Sequence, residues 1–294
     1  MIPRRLSEPD DTPGTSSHTL SHDGRERSYR VHVPPILPLG APLVIQLHGG
    51  GGNGTGLDRL TRFYDLADRE RFAVASPNGV DHRWHDGRTR RQAAAGQAPE
   101  PVDDVGFLAA LIDCVAGWLP IDRRRVYVAG ISNGAMMAAR LANEIPDRIA
   151  AFGQVAGTVA EDAPTWWHPA RPVPVIQIHG TADPIIPYQG GAVKARRRGG
   201  ADRDRVLGVE EWVALVAAHN GATGPTDVRI EGDITQSTWR GPTAQGDVEA
   251  WQVAGGGHTW PGGRQYLPVG IIGTTTATFD ATAALWRFFA NHSL

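Results

Sequence analysis

Val126-Tyr127-Val128-Ala129-Gly130-Ile131-Ser132-Asn133-Gly134-Ala135-Met136 decides the fold of this chain. Its first four residues are an apolar run of strand length, and beyond Gly134 the spacing turns helical through Leu141. Between them stands G-x-S-x-G. That turn is so tight that side chains two positions either side of the serine would strike the adjoining strand and helix. Glycine at 130 and 134 removes the collision. The serine is then held in strained backbone geometry, with its hydroxyl raised above the sheet edge. Strand, turn and helix in this order predict a nucleophile elbow at Ser132.

On either side, apolar runs of strand length alternate with helix-period segments. Strands are expected at Ser28–Val33, Leu43–His48, Phe72–Ala75, Ile149–Val155, Val173–Ile178 and Val248–Val253. Helices are expected at Leu57–Arg71, Val102–Trp118, Val209–His219 and Phe279–Asn291. Regular β–α alternation implies a mostly parallel central sheet with helices on both faces. With the elbow, this is the α/β-hydrolase fold. Residues 1–25 read as a flexible leader, residues 26–294 as one catalytic domain, and Ala192–Arg205 as a mobile insertion. Only Gly157–Pro172 separates two strands after the nucleophile helix, too little for a cap domain. An open cleft follows, edged by Trp166 and Trp167.

Composition excludes several chemistries. Of 294 residues only Lys194 is a lysine, in a glycine- and arginine-rich loop. Schiff-base catalysis and a Walker-A phosphate loop each need a lysine at their centre. A net charge of −2 gives no reason to expect nucleic acid or an anionic membrane as partner. The single Cys114 permits no intrachain disulfide. Arg4 and Arg5 have no apolar run behind them, so no signal peptide is expected. A cytoplasmic protein and an exported one whose signal has been removed both fit. Oligomeric state is not legible.

Serine acyl transfer needs a base, an acid that orients it, and donors for the oxyanion. In this fold the chain order is Ser, acid, His. His258 lies in a glycine-rich turn directly after a strand, whereas His219 ends a helix and His292 sits in the tail. Asp183 directly follows a buried strand, where active groups of such sheets gather. The expected oxyanion donors are the backbone N–H of Asn133 and of Gly50, with Gly51 the alternative. The stretch His48–Gly54 also satisfies G-x-G-x-x-G, but the next strand ends Ala75-Ser76-Pro77-Asn78 without the acid a dinucleotide ribose requires. His82-Arg83-Trp84-His85-Asp86 lacks metal-ligand spacing. Neither cofactor nor metal is expected. Trp84, Trp260 and Trp166 are candidate substrate contacts. Asp103 and Asp104 read as helix caps, with a contact from Asp104 to the elbow open.

Seven segments carry a resemblance as a set: Leu47–Gly50, Pro77–Gly79 with Trp84–Arg88, Val102–Val105, Gly130–Met136, His179–Asp183 and Gly257–Gly262. Together they resemble the polyhydroxybutyrate depolymerase and feruloyl esterase group of carbohydrate esterase family 1. The resemblance runs from about residue 25 to the C-terminus. It implies cofactor-free ester hydrolysis through an acyl-enzyme, with Ser132, Asp183 and His258 as triad. A small or polymeric ester is the implied substrate: hydroxyalkanoate, feruloyl or another aromatic ester. An acyltransferase, a serine peptidase and a non-catalytic binding protein are the alternatives on the same frame.

Overall fold

The computed structural model describes residues 12–88, 102–194 and 204–294. Strands β1 (Gly14–His22) and β2 (Arg25–Val33) pair antiparallel from Gly14↔Val33 to His22↔Arg25. Next come β3 (Ala41–Leu47), α1 (Gly54–Thr61), α2 (Phe63–Glu70) and β4 (Ala73–Pro77). After them lie α3 (Asp104–Trp118), β5 (Ile121–Ile131), α4 (Asn133–Glu144), β6 (Ala151–Val155) and β7 (Val175–Gly180). A short ribbon, β8 (Gly191–Ala192) with β9 (Arg205–Val206), precedes α5 (Val209–His219). The chain closes with β10 (Thr223–Glu231), β11 (Ile234–Arg240), β12 (Val248–Val253), α6 (Val269–Ile272) and α7 (Ala281–Phe289).

Ten strands form one sheet in the order β1-β2-β4-β3-β5-β6-β7-β12-β11-β10. Every pairing from β4 to β12 is parallel, and the two flanks are antiparallel. Alternation along the strands makes two cores. Leu43, Ile45, Leu47, Val126 and Val128 pack with Leu108, Leu111, Leu141 and Trp212 on one face. Val44, Tyr127, Ala129, Ile131 and Ile176 pack with Leu57, Phe63, Leu285 and Phe289 on the other. Strands buried on both faces read as continuous apolar runs, and β3 is buried throughout.

Two expectations need correction. The leader assigned to residues 1–25 contains β1, whose polar alternation hides a strand lying at the sheet edge. The Asp23-Gly24 turn that links it to β2 has φ of 49° and 68°. Positive φ at both positions is the signature of a tight hairpin turn. The single helix expected over Leu57–Arg71 is two, broken at Arg62 with φ 58°. There the buried Thr61 hydroxyl donates to Gln46 Oε1 at 2.8 Å and accepts from Phe63 N–H at 3.4 Å, diverting the backbone. Most of the insertion expected at Ala192–Arg205 lies outside the described residues. Its two ends pair as β8 and β9.

Between β6 and β7 the chain forms only a 3₁₀ turn, Ala163–Thr165, and no cap domain lies there. Trp167 is buried and meets Trp212 edge-on at 4.7 Å, so it packs that loop onto the body.

Candidate active site

Ser132 stands between β5 and α4 with φ 56° and ψ −119°. Positive φ in a residue with a Cβ is uncommon and strained, and it clusters at functional sites. Close approach of backbones imposes it. A Cβ on Gly130 would meet the Gly134 carbonyl carbon and oxygen at 2.3 Å. On Gly134 it would meet the Leu47 carbonyl oxygen at 2.2 Å. Ser132 N–H donates to Val155 O at 3.0 Å, and Met136 N–H donates to Ser132 O at 3.1 Å. The residue is half-buried, and its hydroxyl has no hydrogen-bond partner among the described residues.

Asp183 and His258 meet directly. Asp183 lies three residues past β7, where its Oδ1 accepts from the backbone N–H of Ile185 at 2.8 Å and Ile186 at 2.9 Å. His258 lies five residues past β12, and its Nδ1 donates to Asp183 Oδ2 at 2.8 Å. His258 O in turn accepts from Tyr266 OH at 2.8 Å. Burial works to raise the Asp183 pKa, but the hydrogen bonds and positive charge of His179 and His258 outweigh it. The carboxyl is held well below its ordinary range. His179 escaped the sequence reading although it is part of His179-Gly180-Thr181-Ala182-Asp183. Its Nε2 lies 3.4 Å from Asp183 Oδ2 and donates to Ile186 O at 3.0 Å.

The serine and the Asp183–His258 pair share the carboxyl-terminal edge of β5, β7 and β12. A small apolar cluster ties their supports together. Met136, one turn into α4, packs with Ile186 of the Asp183 loop and with Val206 of β9.

The loop after β3 closes on the elbow. A side-chain carbon on Gly49 would stand 3.4 Å from Ser132 Cβ, and one on Gly50 would stand 3.9 Å from Asn133 Cβ. Gly51 N–H is spent on His82 O at 2.8 Å, and Gly52 N–H on Gly49 O at 3.0 Å. Gly50 N–H has no partner among the described residues. Asn133 opens α4, so its N–H has no acceptor within the helix. Two donors without a partner among the described residues thus flank Ser132, at the positive end of the helix dipole.

Beneath the elbow lies a polar scaffold that the sequence did not reveal. Asn133 Oδ1 accepts from Trp84 N–H at 2.8 Å, and its Nδ2 donates to Trp84 O at 2.9 Å and to Asp86 Oδ2 at 2.6 Å. Arg88 binds Asp86 through Nε at 3.0 Å and Nη2 at 2.6 Å. Asp104 is fully buried and accepts from Arg27 at 2.6 Å and from His85 N–H at 2.7 Å. Burial would raise the Asp104 pKa, but the His85 and Arg27 contacts lower it on balance. Asp103 is the helix cap, accepting from Gly106 N–H at 2.8 Å. Asp104 is instead a strut reaching the elbow through the 84–86 segment.

Two expected substrate contacts are corrected. Trp84 is 3% exposed, with its indole N–H donating to His48 O at 2.9 Å. Trp260 is 1% exposed, with its indole N–H donating to Thr282 Oγ1 at 2.9 Å. Both are core struts with no free face. Trp166 remains half-buried at the rim of the loop. His292, in the C-terminal tail, is buried with Nδ1 donating to Phe288 O at 2.7 Å. A depression of about 670 Å³ near Asn53, Arg59 and His82 is lined by none of Ser132, Asp183 and His258.

Comparison with known proteins agrees with this architecture. The sequence matches the family described as esterase PHB depolymerase over residues 27–240. It is 32% identical over 274 residues to "Putative esterase NocK" of Nocardia uniformis subsp. tsuyamanensis, covering 89% of this chain and 78% of that protein. It is 30% identical over 168 residues to the bifunctional acetylxylan esterase/xylanase XynS20E of Neocallimastix patriciarum, covering 56% of this chain but 23% of that longer protein. The solved acetyl xylan esterase from Aspergillus awamori superposes with a TM-score of 0.60 at 16% identity, covering 83% of this chain and 94% of that one. The chain belongs to the esterase PHB depolymerase family, has the α/β-hydrolase fold and is a carboxylic ester hydrolase.

Proposed function

We propose that the chain hydrolyses esters through an acyl-enzyme on Ser132. His258 Nε2 takes the proton of Ser132 Oγ as that oxygen bonds to the ester carbonyl carbon. The carbonyl oxygen gains the negative charge and is held by the N–H groups of Gly50 and Asn133. The C–O bond to the alcohol then breaks, and the alcohol leaves with the proton from His258. Water repeats the sequence on the acyl-enzyme: His258 takes its proton, and Ser132 departs with it. Asp183 stays ionised, holds the imidazole ring by Nδ1 and stabilises its cationic form. The observation that carries this reading is the 2.8 Å His258–Asp183 hydrogen bond at the edge that also bears the strained Ser132. An open Ser132 hydroxyl is consistent with it, since catalytic hydrogen bonds often tighten only with substrate bound. Hydroxyalkanoate, feruloyl and other aromatic esters, small or polymeric, are the proposed substrates.

Ser132→Ala is expected to abolish hydrolysis of a short-chain p-nitrophenyl ester while the circular dichroism spectrum stays that of the parent. A fluorophosphonate probe is expected to label the parent at Ser132 and the variant nowhere. Retained turnover, or labelling of another residue, rules the reading out.

A further inference from the structure

Resting on the acyl-enzyme reading, we propose that Arg83 recognises an anionic group carried by the substrate. The preferred esters are then those with a carboxylate a few bonds from the scissile carbonyl. Arg83 is exposed, and its guanidinium makes no hydrogen bond or ion pair among the described residues. The other arginines around the elbow are committed: Arg27 to Asp104, Arg88 to Asp86, and Arg140 to Glu144 and His85 O. The free guanidinium stands over the oxyanion loop. Its Cζ and Nη1 lie 4.0 Å from the point a side-chain carbon on Gly50 would occupy.

The base of the side chain is fixed to the site on both sides. His82, with φ 59°, accepts from Gly51 N–H at 2.8 Å through its carbonyl. Arg83 N–H donates to Val80 O at 2.9 Å, and a Cβ on Gly79 would strike Arg83 O at 2.2 Å. Trp84, the next residue, is bound to Asn133 and to His48 O. The Arg83 backbone is therefore held between Gly51, the neighbour of Gly50, and Asn133, with only its own side chain free to move.

No carboxylate among the described residues neutralises this charge. Asp86, three residues on, is already shared by Arg88 and Asn133. A carbonyl oxygen held by Gly50 N–H brings the atoms next to the carbonyl within reach of the guanidinium. Its planar fork matches a carboxylate in bidentate fashion, which a lysine does not. Other surface positions could carry a solvated arginine; this one is built into the rim of the reacting centre.

The test compares mono-p-nitrophenyl glutarate with neutral p-nitrophenyl valerate, on the parent chain, Arg83→Gln and Arg83→Lys. The parent is expected to favour the glutarate ester in kcat/KM, and to lose that preference as salt rises. Arg83→Gln is expected to lose about ten- to a hundredfold on the glutarate ester, mainly through KM. Its valerate hydrolysis should stay within about twofold of the parent. Arg83→Lys should retain part of the preference. An unchanged ester ratio in Arg83→Gln overturns the proposal. So does an equal loss on both esters, which would assign Arg83 to the oxyanion itself. Ser132→Ala assayed on the valerate ester separates the two questions: turnover there tells against the acyl-enzyme, whereas the ester ratio concerns Arg83 alone.

Discussion

At the residue scale, the geometry around His258 turns on how one carboxylate is held. Asp183 receives two backbone N–H groups on Oδ1 and two histidines on Oδ2, which keeps it charged despite burial. Asp183→Asn preserves the shape but offers His258 an amide, which favours the wrong tautomer. That variant is expected to lose about 10³–10⁴-fold in kcat on a p-nitrophenyl ester, and to melt lower near neutral pH because it removes a charge that the fold stabilises. Asn133→Ala acts differently, because its side chain holds the Trp84 backbone and Asp86 while its N–H stays in place. Stranding those buried groups is expected to cost about 1–3 kcal/mol, read as a lowered midpoint in urea. The strained backbone of Ser132 and the pairing of Asp183 with His258 were legible because each residue stands just past an apolar run and they follow in the expected order. Asp86, Arg88, Arg27 and His179 were not. Asp86 meets Asn133 and Arg27 meets Asp104 across segments far apart in sequence, and the Arg88–Asp86 and His179–Asp183 contacts depend on loop conformation rather than on a periodic pattern. Trp84 and Trp260 misled for the same reason: an aromatic in a glycine-rich loop reads as exposed until packing is known.

At the element scale, the elbow works because two glycines let β3, β5 and α4 touch backbone to backbone. Gly134→Ala would drive a methyl group into Leu47 O, 2.2 Å away. It is expected to cost about 1–3 kcal/mol or more and most of the activity, measured by thermal melting and ester hydrolysis. Gly117→Ala is the control. Gly117 is exposed on α3, and nothing lies within 4 Å of an added Cβ. That change is expected to leave activity intact and to stabilise by about 0.4–1 kcal/mol. The buried strands and capped helices were legible, and Val209–His219 and Val248–Val253 keep the expected bounds. The flanking strands β1, β10 and β11 were missed, because the edge strands β1 and β10 carry little apolar pattern and β11 beside β10 is only partly buried. Their turns did carry a signal: Asp23-Gly24 and Gly232-Asp233 are both two-residue hairpin loops.

At the scale of the whole molecule, acid stability follows from the same carboxylates. Asp183 and Asp104 both titrate below their ordinary range when folded. A depressed folded pKa contributes stability that is complete above the unfolded pKa and is lost as pH falls toward the folded one. The melting temperature should therefore carry these contributions fully above about pH 5 and lose them progressively below about pH 4. Asp104→Asn should flatten that acid decline while lowering stability near neutrality, because it leaves Arg27 buried without its counter-charge. The sequence by itself determined the parallel sheet, the elbow and the order of the three proposed catalytic residues. Those features are written in local periodicity and in glycines at fixed offsets. Only the tertiary structure decided that, among the described residues, Gly50 rather than Gly51 keeps a free N–H, that Asp104 is a strut and that the Arg83 guanidinium stands without a partner over the loop after β3. Hydrogen bonds and ion pairs between distant segments set these outcomes, and such contacts exist only once the chain has closed on itself.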